Sequence, residues 1–238
     1  MKIKIEPDRA KKLIEAGMIH KSKAMIDPVM FQFNKDGVTV ADLYSDVIAV
    51  HMNLSKKYFL GYESDEESIG VPSIILDRLG WGFKDEEIEM STKDNKLSMK
   101  GKSDSFDTPL EDLEKRPFPF KMKDTEHGLI PEKIEVKSAI KLKADDLKLP
   151  PSNLYVFELK GKKLTVSIPN GGNFVRKLQG KIIGEEDIKV ALEGEYFNCI
   201  TNNLDGDVTF ILDENAVIFA EKKKDHTKTY IMSTQEEV

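Results

Sequence analysis

The residues able to do chemistry are few and scattered. Four histidines, His20, His51, His127 and His226, stand far apart, so none forms the close pair that ligates a metal from one helix face. Cys199 is the one cysteine, which excludes an internal disulfide, a multi-thiolate zinc site and an iron–sulfur cluster. With no histidine near it in sequence to act as its base, it reads as a small packed hydrophobe. The carboxylates of Asp145-Asp146 and Glu185-Glu186-Asp187 offer oxygen ligands to a cation, but the same clusters occur as solvated turns and helix starts. There is no phosphate-binding glycine loop, no GxGxxG after a strand, no GxSxG elbow and no HExxH. An enzymatic reading therefore has no nucleophile, base or ligand set, and neither metal nor cofactor is expected.

The elements that carry these residues are mostly short strands. At 238 residues there is room for one large domain or two small ones. Charged residues make up 33% against about 25% in an average chain, with 42 acidic and 36 basic side chains giving −6. That total argues against a general nucleic-acid coat, because affinity for phosphate comes from lysine and arginine. No stretch approaches the roughly 20 apolar residues of a membrane span, and the N-terminus lacks a signal-peptide pattern, so a cytoplasmic protein is expected.

Ile3 and Ile5 alternate with lysines as a strand, and Pro7 opens a helix carrying Ala10, Leu13, Ile14 and Gly17. A hairpin follows, Val29 to Phe33 and Val38 to Val40, around the turn Asn34-Lys35-Asp36-Gly37. Strands are predicted at Val47 to Leu54 and Ser68 to Val71, then a helix from Pro72 to Leu79 closed by Gly80. Glu87 to Met90 and Leu97 to Lys100 make a second hairpin, and a strand runs from about Lys102 to Leu110. From Glu111 to Pro131 the two prolines at 117 and 119, mixed charge and absence of period predict an extended connector between domains. The expected organisation is a first domain at 1–110, a connector at 111–131 and a second domain at 132–238.

Beyond the connector the order of elements repeats. Phe31-Gln32-Phe33-Asn34-Lys35-Asp36-Gly37-Val38-Thr39-Val40 has a counterpart in Phe157-Glu158-Leu159-Lys160-Gly161-Lys162-Lys163-Leu164-Thr165-Val166. Glu87 to Met99 lines up in the same way with Asp207 to Phe219. The offsets, 126 and 120 residues, are nearly equal. Either β-hairpins resemble one another by chance, or the chain is a duplicated α+β domain of strands plus two short helices.

Four passages resemble the sliding clamps of the PCNA type. They are Asp36 to Val50, a hairpin start leading through an Asp/Ser turn to an apolar strand; Tyr58 to Glu63 followed by Glu67 to Val71, a helix with Ile75, Leu76 and Leu79, and Asp85 to Ile88; Phe106 to Leu113, the acidic entrance of the connector; and Lys228-Thr229-Tyr230-Ile231-Met232 near the C-terminus. In order and spacing they cover nearly the whole chain. Departures mark it as a divergent member: Met232-Ser233-Thr234 stands where Ala-Pro is usual, Asp46-Val47 where histidine or serine is common, Pro150-Pro151 truncates a helix beginning near Lys143, and Glu195 to Leu204 holds no lysine or arginine.

The resemblance implies two similar α+β clamp domains forming a ring, usually of three subunits, that encircles duplex DNA without regard to sequence and tethers DNA polymerase and other replication and repair proteins, with a clamp loader as a further partner. It implies no catalysis. The alternative is a β-rich interaction scaffold that kept the fold but does not encircle DNA. Residues 1–24 hold seven basic against three acidic side chains, a local +4, which suits a basic lining inside an acidic ring. DNA-contact candidates are Arg9, Lys11, Lys12, Lys21, Arg78, Lys84, Lys143 and Lys148, and they read equally as solvated helix faces. Asn198, Asn202 and Asn203 could hydrogen-bond phosphates. A partner groove would use Leu43, Val47, Val50, Leu113, Phe118, Tyr230 and Met232, of which Leu43, Val47 and Val50 read equally as core. Subunit joining would use edge strands carrying Phe106 and, in the second domain, Phe174, Val175, Arg176 and Leu178.

Overall fold

Strand β1 (Lys2–Ile5) alternates lysine with isoleucine; the computed structural model buries Ile3 and Ile5 and turns Lys2 and Lys4 toward Glu89 and Glu87. The structure describes residues 1–17, 29–44, 47–71, 87–110, 120–169, 174–184 and 186–235. The helix expected at 72–79, residues 111–119 of the connector, and the candidates Lys21, Arg78, Lys84, Leu113 and Phe118 lie outside the described residues. Pro7 opens α1 (Pro7–Gly17), where its fixed φ suits the first helical position and its missing N–H loses no bond. Ala10 and Leu13 are buried at i, i+3 spacing, whereas Lys11 and Lys12 are exposed.

The first half continues with β2 (Val29–Asn34), β3 (Gly37–Tyr44), β4 (Ile48–Ser55), a 3-10 turn at Lys56–Tyr58, β5 (Gly61–Glu63), β6 (Glu67–Val71), β7 (Ile88–Lys93), β8 (Lys96–Lys100) and β9 (Ser105–Pro109). Turn chemistry fixes the hairpins. Asn34 Oδ1 accepts from the N–H groups of Asp36 and Gly37, and Asp94 and Asn95 both take positive φ in the two-residue β7–β8 turn. Gly37 is required by space, since a Cβ there would sit 1.9 Å from the Leu54 carbonyl oxygen.

The second half holds β10 (Met122–Thr125), β11 (Gly128–Pro131), β12 (Ser138–Lys143), a 3-10 turn at Ala144–Leu147, β13 (Leu154–Lys160), β14 (Lys163–Ile168), β15 (Phe174–Leu178), β16 (Lys181–Gly184), β17 (Ile188–Glu193), α2 (Gly194–Asn202), β18 (Asp207–Leu212), β19 (Ala216–Lys222) and β20 (His226–Ser233). The stretch from Lys121 to Pro131, expected from its charge and lack of period to be extended connector, is not. It is a hairpin, too short for alternation to show, with all of β11 buried and the Thr229 hydroxyl donating to Leu129 O.

The chain divides into two compact units. One comprises Met1–Asp42, Val50–Phe118 and Lys224–His226, the other Leu43–Ala49, Pro119–Lys223 and Thr227–Val238. Each repeats the other's topology. The first half runs β5-β1-β7-β8-β9 in one sheet and β6-β2-β3-β4 in neighbouring strands, the second β16-β12-β18-β19-β20 and β17-β13-β14-β15. Replacing β1 to β9 by β12 to β20 while skipping the helices turns one order into the other. The register agrees as well. Phe31 faces Val40 as Phe157 faces Val166, and Met90 faces Met99 as Phe210 faces Phe219. The duplication read from the hairpins is thus a property of strand pairing. Where the first half has α1, the second has only the 3-10 turn, because Pro150 and Pro151 end it.

The second unit's core is aromatic. Phe210 and Phe219 stack at 4.6 Å, Phe157 meets Phe210 edge-on at 5.1 Å, and Phe197 of α2 packs against Tyr155 and Phe157 at 4.7 and 5.3 Å. In the first unit β4 carries His51, whose imidazole pKa burial lowers to about 4. Because that value lies below the unfolded one near 6.5, the unfolded state binds more protons between them. The contribution to stability is complete above pH 6.5 and is lost as pH falls toward 4, about 3 kcal/mol in all, of which the part lost between pH 7 and 4.5 is about 2–3 kcal/mol. His51→Gln is expected to reduce the drop in denaturant-measured stability between pH 7 and 4.5 by about that amount; an unchanged drop would show that His51 is not its source.

Candidate functional site

Three sets of residues were expected to work together, and the structure treats each differently. The first is the cationic helix face. Arg9 is spent on folding: its guanidinium donates to Tyr58 O at 2.7 Å, lies 3.2 Å from Glu6 and 3.8 Å from Asp225, and sits over the Tyr58 ring at 5.1 Å. It fastens the first turn of α1 to the 3-10 turn at Lys56–Tyr58. Lys11 and Lys12, one position apart on the exposed face of the same helix, are the cations that α1 presents outward.

The equivalent side of the second unit is charge-paired. Lys143 Nζ lies 2.5 Å from Asp207 Oδ1, and the hydrogen bond it donates to that carboxylate raises the lysine pKa. Lys148 Nζ lies 2.6 Å from Asp145 Oδ1, while Arg176 reaches Asp146 at 3.8 Å and Lys148 O at 3.4 Å. Helix α2 begins at Gly194, where a Cβ would lie 1.7 Å from Ser152 O, and buries Phe197, Ile200 and Thr201. Of its three asparagine candidates two have structural tasks. Asn198 Oδ1 lies 2.9 Å from the Tyr155 hydroxyl, and Asn203 donates to Cys199 O while its own carbonyl accepts from Lys228 Nζ. Only Asn202 is exposed.

Sequence reasoning missed the group that holds the end of α2. Glu221 is buried, accepts from Asp205 N at 3.0 Å, and lies 2.9 Å from Lys223 Nζ and 3.8 Å from Lys228 Nζ; Lys223 also reaches Asp205 at 3.0 Å. A glutamate directly after the apolar run Ala216–Ala220 of a strand was the available signal, since a buried carboxylate must be paired.

The second set is the partner groove. Ser233 N donates to Val47 O at 2.8 Å, so the end of β20 meets the segment Leu43–Ala49, and both belong to one unit. Leu43 and Val47 are half-buried and can be touched from outside. Val50, Tyr230 and Met232 cannot, because each is at most 1% exposed. These three are corrected to core residues: four consecutive residues of β20, from Thr229 to Met232, are covered on both faces.

The third set is the pair of open edges. β9 ends one sheet of the first unit and β15 one sheet of the second. Phe106 on β9 and Phe174 and Arg176 on β15 are half-buried, Val175 is 68% exposed, and Leu178 is buried at 3%, so Leu178 supports the edge from inside instead of lining it.

No model of a known protein family matches the chain, and no curated protein sequence matches it. Solved structures do. Proliferating Cellular Nuclear Antigen from Entamoeba histolytica superposes with a TM-score of 0.80 at 15% identity, over 99% of this chain and 98% of that one. The fold is that of a PCNA sliding clamp. PCNA from Thermococcus kodakaraensis gives 0.80 at 18% identity over 98% and 99%, and A. fulgidus PCNA, in a structure with the C-terminal region of FEN-1 bound, gives 0.78 at 16% over 100% and 99%. The clamp fold thus covers nearly the full length of both chains at 15–18% identity.

Proposed function

We propose that this chain is a non-enzymatic sliding clamp: a ring of three copies that encircles duplex DNA and tethers DNA polymerase and other replication and repair proteins, after delivery by a clamp loader. Residues 1–110 and 132–238 are its two domains, joined through 111–131, the later part of which forms the β10–β11 hairpin, and it works in the cytoplasm, on the nucleoid of a prokaryotic cell. The observation that carries this reading is the full-length match in both directions to clamp structures together with the duplicated topology. Contact with DNA is through phosphate charge, led by Lys11 and Lys12, which suits a protein that must not stop at any sequence. The groove beside Leu43 and Val47 receives short segments of partner proteins, a reading supported by the FEN-1 segment on the A. fulgidus structure. Polymerase extension of a primer on a long circular template, with and without this protein and a loader, tests it: longer products are expected, and unchanged length with a cognate polymerase overturns it.

Copies join by pairing β9 of one with β15 of the next. Val175→Asp places a charge on this joint without touching the core, and is expected to weaken self-association at least tenfold. Light scattering that shows the same assembly as the parent chain would place the joint elsewhere. The charge-paired second unit favours the alternative reading, a scaffold of clamp fold that does not encircle DNA; failure of the protein to be retained on closed circular DNA while it still assembles would select it.

A further inference from the structure

The duplicated topology makes the two halves comparable position by position, and on that comparison their DNA-facing chemistry has diverged. Where the first half presents a helix with Lys11 and Lys12 exposed, the second presents a four-residue 3-10 turn, Ala144–Leu147, that carries Asp145 and Asp146. The turn and the loop after α2 are neighbours, because Ala144 N donates to Gly206 O at 2.8 Å. Two lysines flank this corner, Lys143 and Lys148, and each has a carboxylate within 2.6 Å: Asp207, which is the cross-strand partner of Lys143 in the β12–β18 register, and Asp145, three residues before Lys148. Helix α2 contributes Glu195 and no basic residue.

We propose that Asp145 and Asp207 limit the grip of the second half on duplex DNA. This rests on the sliding-clamp function proposed for the chain. All four side chains are more than half exposed, so the pairs do not lock the lysines in place. They act by cancellation. A phosphate approaching either ammonium meets a carboxylate at nearly the same distance, inside the roughly 10 Å over which charges are felt at 0.1 M salt, and no counterion is released as it docks. A ring whose second halves hold DNA weakly slides with less friction than one that grips all round, and its acids are the means.

The consequence runs against the usual effect of mutating a binding protein: removing a side chain improves binding. Asp207→Asn and Asp145→Asn keep shape and hydrogen bonding but release one cation each for phosphate. Measured with the full-length protein and a short labelled duplex across a salt series, each is expected to raise affinity about fivefold to tenfold at 0.1 M salt and to steepen the dependence of log K on log salt by about 0.9 per additional phosphate neutralised. Lys143→Gln and Lys148→Gln are expected to stay within about twofold of the parent, since those charges are already cancelled. Affinity and slope unchanged in both Asp→Asn proteins, with circular dichroism showing them folded, overturn the proposal. So do decreases in affinity in the Lys143 and Lys148 variants as large as that of Lys12→Gln. A parent protein with no salt-dependent binding to duplex overturns the clamp reading as well, which separates the two failures.

Discussion

Lys11→Glu combined with Lys12→Glu is expected to lower affinity for a short duplex by on the order of a hundredfold at 0.1 M salt. Neutralising one phosphate fewer reduces the salt exponent by about 0.9, worth a factor of about eight at that concentration, and two such reductions compound before the repulsion of the new carboxylates is counted. Both side chains are exposed on α1 while Ala10 and Leu13 hold the helix from beneath, so folding is not at stake. Arg9→Gln is the informative companion. Its guanidinium is tied to Tyr58, Glu6 and Asp225, so its removal costs stability and leaves the salt slope nearly unchanged. Fluorescence anisotropy with a labelled duplex at several salt concentrations separates the two; equal slopes for the double variant and the parent would remove α1 from the DNA-binding surface.

The other large effect is on stability. Phe219→Ala is expected to cost about 3–5 kcal/mol, the range for truncating a buried phenylalanine. Its ring is fully buried, stacks on Phe210 at 4.6 Å and meets Phe197 of α2 at 6.0 Å, so removal leaves a hole lined by aromatic rings that cannot collapse into it. Because Phe197 anchors α2, the destabilisation should spread to the helix. Urea denaturation with the far-ultraviolet signal as readout checks the magnitude, and a cost under about 1 kcal/mol would mean that the cluster repacks.

What the sequence made legible follows from the range over which each signal acts. Hairpins were readable because their turns are local: Asn34 and Gly37, and Asp94 and Asn95, dictate a tight reversal whatever lies elsewhere. The truncation after Lys143 was readable because Pro150 and Pro151 act on their own backbone. Short elements without apolar alternation, such as β5 (Gly61-Tyr62-Glu63) and β10 (Met122-Lys123-Asp124-Thr125), were not readable, whereas β1, of the same length as β10, alternates lysine with isoleucine. Side-chain roles were worse. Tyr230 and Met232 looked like groove residues by position, but whether an apolar strand residue faces a groove or a second layer depends on what covers it. Lys143 looked like a DNA-binding residue until the register placed Asp207 opposite, a pairing between residues 64 apart that no local pattern encodes. Lys148 and Asp145 could have been paired from their spacing alone.

The two edge strands proposed to pair are unlike one another: β9 carries Phe106 and Asp107, β15 carries Val175 and Lys177. A joint between unlike surfaces has no internal stopping rule. In the assembly proposed above, each added copy exposes a fresh β15 at one end and a fresh β9 at the other, and growth halts only when the turn per copy brings first and last together. Subunit number is then a geometric result of curvature and not of the strength of the joint. A substitution that leaves the joint intact but straightens the chain by a few degrees would produce a larger ring or an open helical filament, growing with concentration.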